Sequence, residues 1–265
     1  MKRCFLFIFL FVSILFARAE KIQIDSLWYL LDFETREALL TSPQDGSYYY
    51  GDIVVPENFI YDGNTYTVKS IAYRAFYYNN ANITLTLPNS IERIENEAFY
   101  YSKGLKKIVL PPSLNYVGKD AFFACSYLEE VRITDLKEWC NVSFVNFYSN
   151  PLFIADSFIV NDKVVEELVI PNTVSNISDF AFYGHDGFKS VIIPESVTTI
   201  GQSVFSGCGK LESVYIPSSV EYIGDDAFSE SKLLEEVHIS DLSSWCNISF
   251  ENIFANPLIL ANHLF

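Results

Sequence analysis

Basic residues are scarce in this chain of 265 residues: 18 Lys and Arg stand against 33 Asp and Glu, and the formal net charge at pH 7 is −15. This composition argues against nucleic-acid binding through a basic surface, because phosphate contacts need Lys and Arg. Histidine, with 3 residues, and cysteine, with 5, are also few. We find no clustered metal ligands, Gly-rich phosphate loop or Ser-His-Asp arrangement in the sequence. We therefore expect no enzyme activity, no cofactor and no metal site.

Only one long apolar run is present, and it lies at the start of the chain. Residues 1–19 combine Lys2 and Arg3, an apolar run over 4–16 and a small-x-small site ending at Ala19. This order is typical of a cleaved secretory leader. A membrane anchor is the alternative, but spanning a bilayer takes about 20 apolar residues. The sequence therefore predicts an exported protein, secreted or at the cell surface, with no membrane span once the leader is removed.

Aromatic and apolar residues, in contrast, recur with a fixed spacing. One Phe column repeats at intervals of 23, 23, 60, 23 and 23 residues, and five of its six members follow an Ala. A constant period in this range predicts a solenoid, in which each repeat forms one rung of a stack. The column consists of Phe76, Phe99, Phe122, Phe182, Phe205 and Phe228.

One repeat shows how a rung is expected to form. Val214 and Ile216 have the spacing of a β-strand with its apolar side chains on one face. Pro217 cannot donate to a strand ladder, so the strand should end there. Two residues later, the Ser219 hydroxyl can satisfy backbone groups of the turn. Phe228 is then expected to fill the inside of the coil opposite the strand.

The same repeat carries a family signature. Leu211 to Phe228 fit the pattern LxxVxIPxSVxxIGxxAF, and Cys125 and Cys208 fit a Cys three residues after the Phe. This pattern resembles the BspA-like leucine-rich repeats, which are common in bacterial surface proteins. The resemblance implies an α/β leucine-rich-repeat solenoid with a horseshoe-like shape. Such a solenoid is mostly β, with short irregular or helical turns and a parallel sheet on the concave face. The resemblance also implies adhesion or protein recognition, and it supplies no catalytic residues.

The sequence divides into three parts. Residues 1–19 form the predicted signal peptide, 20–87 an N-terminal cap with the first rung, and 88–265 the leucine-rich-repeat solenoid. Within the cap, the segment 61–64 reads Tyr-Asp-Gly-Asn. Asp-Gly between β-rich flanks predicts a hairpin with a two-residue turn.

A longer period is superimposed on the short one. Residues 128–159 and 234–265 are identical at 17 of 32 positions, with an offset of 106. We call these two segments the long units. In this alignment Phe265 matches Ile159, so the solenoid is expected to stop within a repeat. An end of that kind predicts a truncated product, or an end covered by a partner or by self-association, because solenoids normally close with a capping repeat.

The cysteines after the leader are expected to be mostly buried free thiols. Cys125 and Cys208 fall in one column, three rungs apart, which corresponds to about 14 Å. A disulfide needs Cα atoms within about 7 Å. A bond between Cys125 and Cys140 stays possible on the same argument. Cys208 also lies one rung from His185, so a Cys–His dyad is an alternative to simple packing of this column.

The binding site is expected on the outward side of the repeated strands, at the residue between the two core positions. An apolar and aromatic middle with partly acidic edges is suited to protein recognition. The expected contact residues are Val109, Arg132, Val169, Ile192, Tyr215 and His238, flanked by Glu130, Glu167 and Glu236.

Three functions are compatible with this pattern. We expect an exported protein that recognises a protein ligand, such as a host-surface or matrix protein, through its concave sheet. A structural or assembly role at the cell surface is the alternative. A secreted carbohydrate-binding protein or hydrolase ranks last, because the residues that recur are packing residues.

Overall fold

The computed structural model describes residues 20–261 and 263–265. The signal peptide predicted for 1–19 lies outside the described residues. In the part that is described, no helix combines the length and the apolar character needed to cross a membrane.

The N-terminal region is an antiparallel meander that leads into the solenoid. Strands β1 (Glu20–Ile24), β2 (Leu27–Asp32) and β3 (Glu37–Thr41) pair in sequence order. Strand β6 (Asn64–Ile71) then pairs with β3 in parallel, so the meander is continuous with the first coil. Tyr29 and Leu31 of β2 are fully buried, and they cover the start of the core.

The predicted hairpin is confirmed. Strand β5 (Asn58–Tyr61) pairs antiparallel with β6, and Tyr61 lies opposite Asn64. The two turn residues, Asp62 and Gly63, have φ values of 46° and 71°. Two positive φ angles are the mark of a type I′ turn, which matches the twist of the paired strands.

The Val-x-Ile segments form the longest strands of the coils, and we call their two sheets the long-strand sheets. All neighbours in them pair in parallel, except for one antiparallel pair, β13 and β14. The first sheet contains β4 (Gly51–Val54), β7 (Ile83–Thr86), β9 (Leu105–Val109), β11 (Glu130–Ile133), β13 (Ser157–Val160) and β14 (Lys163–Val164). The second contains β15 (Glu167–Val169), β17 (Ser190–Ile192), β19 (Ser213–Ile216), β21 (Glu236–Ile239) and β23 (His263–Leu264).

A second row of two-residue strands follows the Pro of each coil, and the sequence did not predict it. These strands also pair in parallel, and all but the last contribute one buried apolar side chain, such as Ile200 or Ile223, to the core. The first set, which continues from β6, is β8 (Arg93–Ile94), β10 (Tyr116–Val117) and β12 (Ser143–Phe144). The second set is β16 (Asn176–Ile177), β18 (Thr199–Ile200), β20 (Tyr222–Ile223) and β22 (Ser249–Phe250).

The turn around each Phe forms a third set of hydrogen bonds between rungs, which we call the turn ladder. Phe99 N–H donates to Ala121 O at 2.8 Å, and Tyr101 N–H donates to Phe123 O at 2.8 Å. Because the coils are bonded at the long strand, at the short strand and at the turn, most of their buried backbone groups are paired.

The Phe column fills the core as predicted. All six side chains are buried, with exposures of 0–1%. Rings from neighbouring short repeats stack, with centroids 4.8 Å apart for Phe76 and Phe99 and 5.5 Å apart for Phe205 and Phe228. Offset stacking at these separations adds to the free energy gained from burying the rings.

Among the described residues, the helical elements lie in the long units. Helix α1 (Leu136–Cys140) and helix α2 (Leu242–Trp245) begin after Asp135 and Asp241, whose carboxylates accept backbone N–H groups of the first turn. Four single 3₁₀ turns follow the helices. They are Phe147–Ser149, Pro151–Phe153, Ile253–Ala255 and Pro257–Ile259.

The first long unit separates the two halves of the solenoid. Strand β12 ends one short-strand set and β16 begins the next, with no pairing between them. Side chains replace the missing backbone donors at this point. Trp139 Nε1 donates to Ala181 O at 2.9 Å, and Asn150 Nδ2 donates to Phe180 O and Ala181 O at 2.6 and 2.9 Å.

Candidate functional site

The predicted contact residues all lie at outward positions of the long-strand sheets. Val109 is opposite Arg132 on β9 and β11. The register of the second sheet aligns Val169, Ile192, Tyr215 and His238 on β15, β17, β19 and β21. The intervening side chains, such as Val131 and Val191, are buried as the strand period requires.

The structure divides these residues into two groups. The first group is Val109, Glu130 and Arg132, on the first long-strand sheet. The second group is Glu167, Val169, Ile192, Tyr215, Glu236 and His238, on the second long-strand sheet. The sequence analysis treated them as one continuous row, and this division is the main difference at the candidate site.

A hairpin causes the division. Arg132 lies opposite Ile159 on β13, and Ile159 in turn pairs with Val164 on the antiparallel strand β14. An antiparallel strand cannot continue a parallel row, so Val169 begins a new sheet. The turn residues Asn161 and Asp162 have φ values of 49° and 61°. Asn-Asp between two apolar segments was a readable turn signal, because both residues tolerate positive φ.

Charges in the first group neutralise one another. Arg132 Nε donates to Glu130 Oε2 at 2.8 Å, and Arg132 Nη1 donates to Asp162 Oδ1 at 3.1 Å. Lys107 Nζ lies 3.8 Å from the same Glu130 oxygen. The hydrogen bond from Arg132 lowers the pKa of Glu130 below its ordinary value. A ligand at this group would have to displace existing ion pairs, which are partly exposed and individually weak.

The second group is more open. Val169 is 54% exposed and Ile192 is 44% exposed, and the two are neighbours across β15 and β17. His238 is less available, because its Nε2 lies 3.0 Å from Glu236 Oε2 and its ring stacks on Phe265 at 5.0 Å. The second group therefore presents an apolar pair at one end and a polar, partly satisfied end at His238.

A groove of about 360 Å³ adjoins the second group. It lies beside the beginning of β19 and β21, and Glu212, Glu235 and Glu236 line it together with Ser213 and Leu233. Three carboxylates in one groove give this side of the sheet a negative potential, which favours basic groups on a partner.

The Cys–His hypothesis is not supported by the geometry. Cys208 Sγ donates to Phe182 O at 3.3 Å rather than to His185. Burial raises the pKa of Cys208 to about 12 and lowers the pKa of His185, so neither group is set up as a nucleophile and its base. The His185 ring lies 3.4 Å from Leu152 O and 4.7 Å from the ring of Phe188.

The column three residues after each Phe has a structural role that the sequence analysis missed. Cys125 Sγ donates to Phe99 O at 3.0 Å, and Ser231 Oγ donates to Phe205 O at 2.6 Å. Cys208 makes the same contact, so the column satisfies a buried carbonyl of the preceding rung. The four cysteines in the described residues are free, and only Cys246 is exposed.

Metal binding also finds no support in the side-chain arrangement. Across the part of the chain that is described, no three His, Cys, Asp or Glu side chains are placed to hold an ion. The candidate site offers contact surface, in the form of an apolar pair, a tyrosine and acidic edges.

The repeats identify the family. Residues 63–150 and 153–262 match the family described as BspA type leucine rich repeat region, in six copies. The chain belongs to this family. The resemblance seen in the repeat pattern is thereby confirmed, and BspA-type repeats account for most of the chain.

A solved structure confirms the leucine-rich-repeat fold. A leucine-rich repeat protein from Bacteroides ovatus aligns at 24% identity with a TM-score of 0.56, covering 84% of this BspA-type chain and 56% of that one. This chain thus spans little more than half of that protein. The T. pallidum leucine rich repeat protein aligns at 21% identity with a TM-score of 0.48, covering 91% and 92%.

A leucine rich cell surface protein from Faecalibacterium prausnitzii aligns at 17% identity with a TM-score of 0.37, covering 87% of this chain and 97% of that one. At these identities the structural likeness concerns the fold alone. No curated protein shows a significant match to this chain.

Proposed function

We propose that this BspA-type protein is exported and recognises another protein through the outward face of its second long-strand sheet. The observation that carries the proposal is the pair Val169 and Ile192, which are neighbours on adjacent strands and about half exposed. Extended sheet faces are the usual binding surfaces of solenoids, and clustered exposed apolar side chains mark interaction sites. Export is directed by the leader predicted for residues 1–19.

Covering Val169 and Ile192 with a partner would contribute measurably to the binding free energy. Complete burial of a Val or Ile side chain contributes about 1.5–3 kcal/mol relative to full exposure. Half of each side chain is already covered here, so covering the rest contributes about 1 kcal/mol per residue. Together, the two side chains change affinity by roughly 30-fold.

The edges of the face define the partner's chemistry. Glu167 precedes Val169 on β15, and the carboxylates of Glu212, Glu235 and Glu236 line the adjacent groove. A protein that places apolar side chains on Val169 and Ile192 and carries Lys or Arg beside them fits this surface. Complementary charge of this kind raises the association rate and selects among partners.

The test is a binding screen against immobilised extracellular-matrix proteins and host-cell surface proteins, with the variant Val169→Ser/Ile192→Ser. We expect this variant to bind any captured partner at least about tenfold more weakly than the wild type. Val54→Ser is the matched control, because Val54 is 71% exposed at the outward position of β4 in the other long-strand sheet. Equal binding by the double variant and the wild type would exclude this face.

A further inference from the structure

A row of aromatic rings follows the Phe column on the outside of the turns, and we call it the aromatic ridge. Its rings stack from rung to rung. Centroids are 4.9 Å apart for Tyr78 and Tyr101, with an angle of 6° between the rings, and 4.9 Å apart for Tyr100 and Phe123. The ridge consists of Tyr77, Tyr78, Tyr100, Tyr101, Phe123 and Tyr148.

The scaffold does not need these rings. The same two turn positions are Ser206-Gly207 in a later rung, and the same ladder bond forms there. Gly207 N–H donates to Ser229 O at 2.7 Å, as Tyr78 N–H donates to Tyr100 O at 2.9 Å. A later rung of the same chain therefore shows that small residues form this turn with the same hydrogen bond.

Two of the ridge tyrosines are held at an energetic cost. Tyr78 and Tyr101 have φ values of 54° and 56°, and the same column carries Ala124, Glu230, Gly184 and Gly207, also with positive φ. A left-handed conformation costs a residue with a side chain about 1–2 kcal/mol. A bulky residue kept in such a conformation, where glycine is an available alternative, points to a role for its side chain.

The net charge also differs between the two halves of the solenoid. Residues 64–127, which carry most of the ridge, contain seven Lys or Arg and four Asp or Glu, a net charge of +3. Residues 128–265 contain six Lys or Arg and twenty Asp or Glu, a net charge of −14. At the turns themselves, Lys103 and Lys119 lie in the first half and Asp225, Asp226 and Glu230 lie in the last turn. Tyr183 extends the row of rings into the second half, and the turns at 206–207 and 229–230 beyond it carry small or acidic side chains.

We infer that two copies of this chain associate antiparallel through their turn faces. The aromatic ridge of one copy lies on the Ser-Gly and Ser-Glu turns at 206–207 and 229–230 of the other, and the two-fold axis repeats the contact. An isologous interface needs a surface that is complementary to itself. Within the turn face, the size and the charge of the side chains both provide this complementarity. The rings are already stacked, so little side-chain entropy is lost on association.

Specific charges lie at equivalent turn positions. Lys119 O and Asp225 O each accept from the turn ladder of the preceding rung, so these two residues occupy the same column. Lys103 lies over the ring of Tyr101, with its Nζ 5.7 Å from the centroid. Glu230 occupies the same column as Tyr78 and Tyr101 and is exposed, with Lys232 Nζ 2.8 Å from its Oε2. Antiparallel association brings the lysines of one copy towards the carboxylates of the other.

The first test replaces the ridge with the residues that the chain uses elsewhere: Tyr77→Ser, Tyr78→Gly, Tyr100→Ser and Tyr101→Gly. In sedimentation equilibrium of the purified protein up to about 100 µM, we expect a monomer–dimer equilibrium for the wild type and a dissociation constant raised at least about 30-fold for the variant. A wild type that stays monomeric overturns the inference, as does a folded ridge variant that dimerises like the wild type.

The second test does not depend on the tyrosines. Lys103→Glu/Lys119→Glu and Asp225→Lys/Glu230→Lys should each remain monomeric alone, because both symmetry-related contacts become repulsive. A mixture of the two variants should form heterodimers, since one contact then pairs the introduced Glu with the introduced Lys, and the other keeps the wild-type pairing of lysines with Asp225 and Glu230. Failure of the mixture to associate overturns the antiparallel arrangement. Val169→Ser/Ile192→Ser should dimerise normally, so this result is independent of the partner-binding proposal.

Discussion

Trp139 Nε1 donates a hydrogen bond of 2.9 Å to the carbonyl of Ala181, 42 residues later in the chain. In regular rungs the equivalent carbonyl accepts a backbone N–H, as Ala98 O accepts from Phe76 N–H at 2.7 Å. The indole therefore takes the place of a backbone donor where the long unit interrupts the ladder.

Trp139→Phe tests whether the indole N–H takes the place of the missing backbone donor. The variant keeps an aromatic ring but removes one of the donors to Ala181 O, and we expect the free energy of unfolding to fall by about 1–2 kcal/mol. Urea unfolding measures the change. Trp245→Phe is the matched control in the second long unit, where no acceptor for the indole is seen among the described residues. Equal losses in both variants would show that ring packing, not the hydrogen bond, is what matters.

Phe205→Ala tests the Phe column. Phe205 is fully buried between Phe182 and Phe228, with centroid separations of 5.7 and 5.5 Å. Truncating a buried Phe to Ala costs about 3–5 kcal/mol, which lowers the melting temperature of a domain of this size by roughly 6–20 °C. Tyr215→Ala on the outward face should change it little. A Phe205→Ala variant that melts within about 2 °C of the wild type would refute the packing role.

Acid sensitivity should arise in part from His185. The ring is buried, and burial lowers its pKa below the ordinary value of 6.5. The folded state thus favours neutral His185. The contribution of neutral His185 to the free energy of unfolding is fully present above pH 6.5. It decreases as the pH falls below 6.5, because the unfolded chain then binds more protons than the folded chain.

His185→Ser should reduce the loss of stability between pH 7.5 and pH 5, because Ser102 and Ser231 fill the same column without a titrating group. Urea midpoints of both proteins at the two pH values provide the comparison. If the loss is equal in the variant and the wild type, the acid sensitivity has another origin.

Ala124→Gly should stabilise the protein. Ala124 has a φ of 58°, in the column where Gly184 and Gly207 have φ values of 68° and 71°. Relief of left-handed strain outweighs the entropy that glycine adds to the unfolded chain, and we expect a gain of about 0.5–1 kcal/mol. Ala121→Gly is the control, because Ala121 is buried without positive φ and should lose stability. A decrease in the urea midpoint for Ala124→Gly would contradict the strain argument.

Much of the fold could be predicted because its signals are local and repeated. The Phe spacing predicted the rungs, and Asp62-Gly63 predicted the hairpin. The Ser two residues after Pro bonds to a backbone carbonyl as expected at Ser90, Ser113 and Ser219, but the buried Ser196 Oγ has no partner among the described residues. The short strands could not be predicted, because two residues such as Tyr222–Ile223 are too few to show a period.

The sequence predicted the outward orientation of the candidate-site residues, but not how they are grouped. Outward positions follow from strand alternation, so each contact residue was placed on the correct side. The contact residues fall into two groups because β14 returns antiparallel to β13. This return depends on the turn at Asn161 and Asp162. The aromatic ridge was missed because its rings meet across rungs, and a sequence period does not reveal stacking.

The first long unit also has a mechanical consequence. In the described chain, one backbone hydrogen bond, from Ser178 N–H to Cys140 O at 2.9 Å, links residues before 160 to residues after 170. Side-chain bonds from Trp139 and Asn150, the contact of His185 with Leu152 O, and ring contacts such as Phe153 with Tyr183 complete this junction. Under a tensile load along its axis, the solenoid should yield at this junction first and extend as two intact blocks.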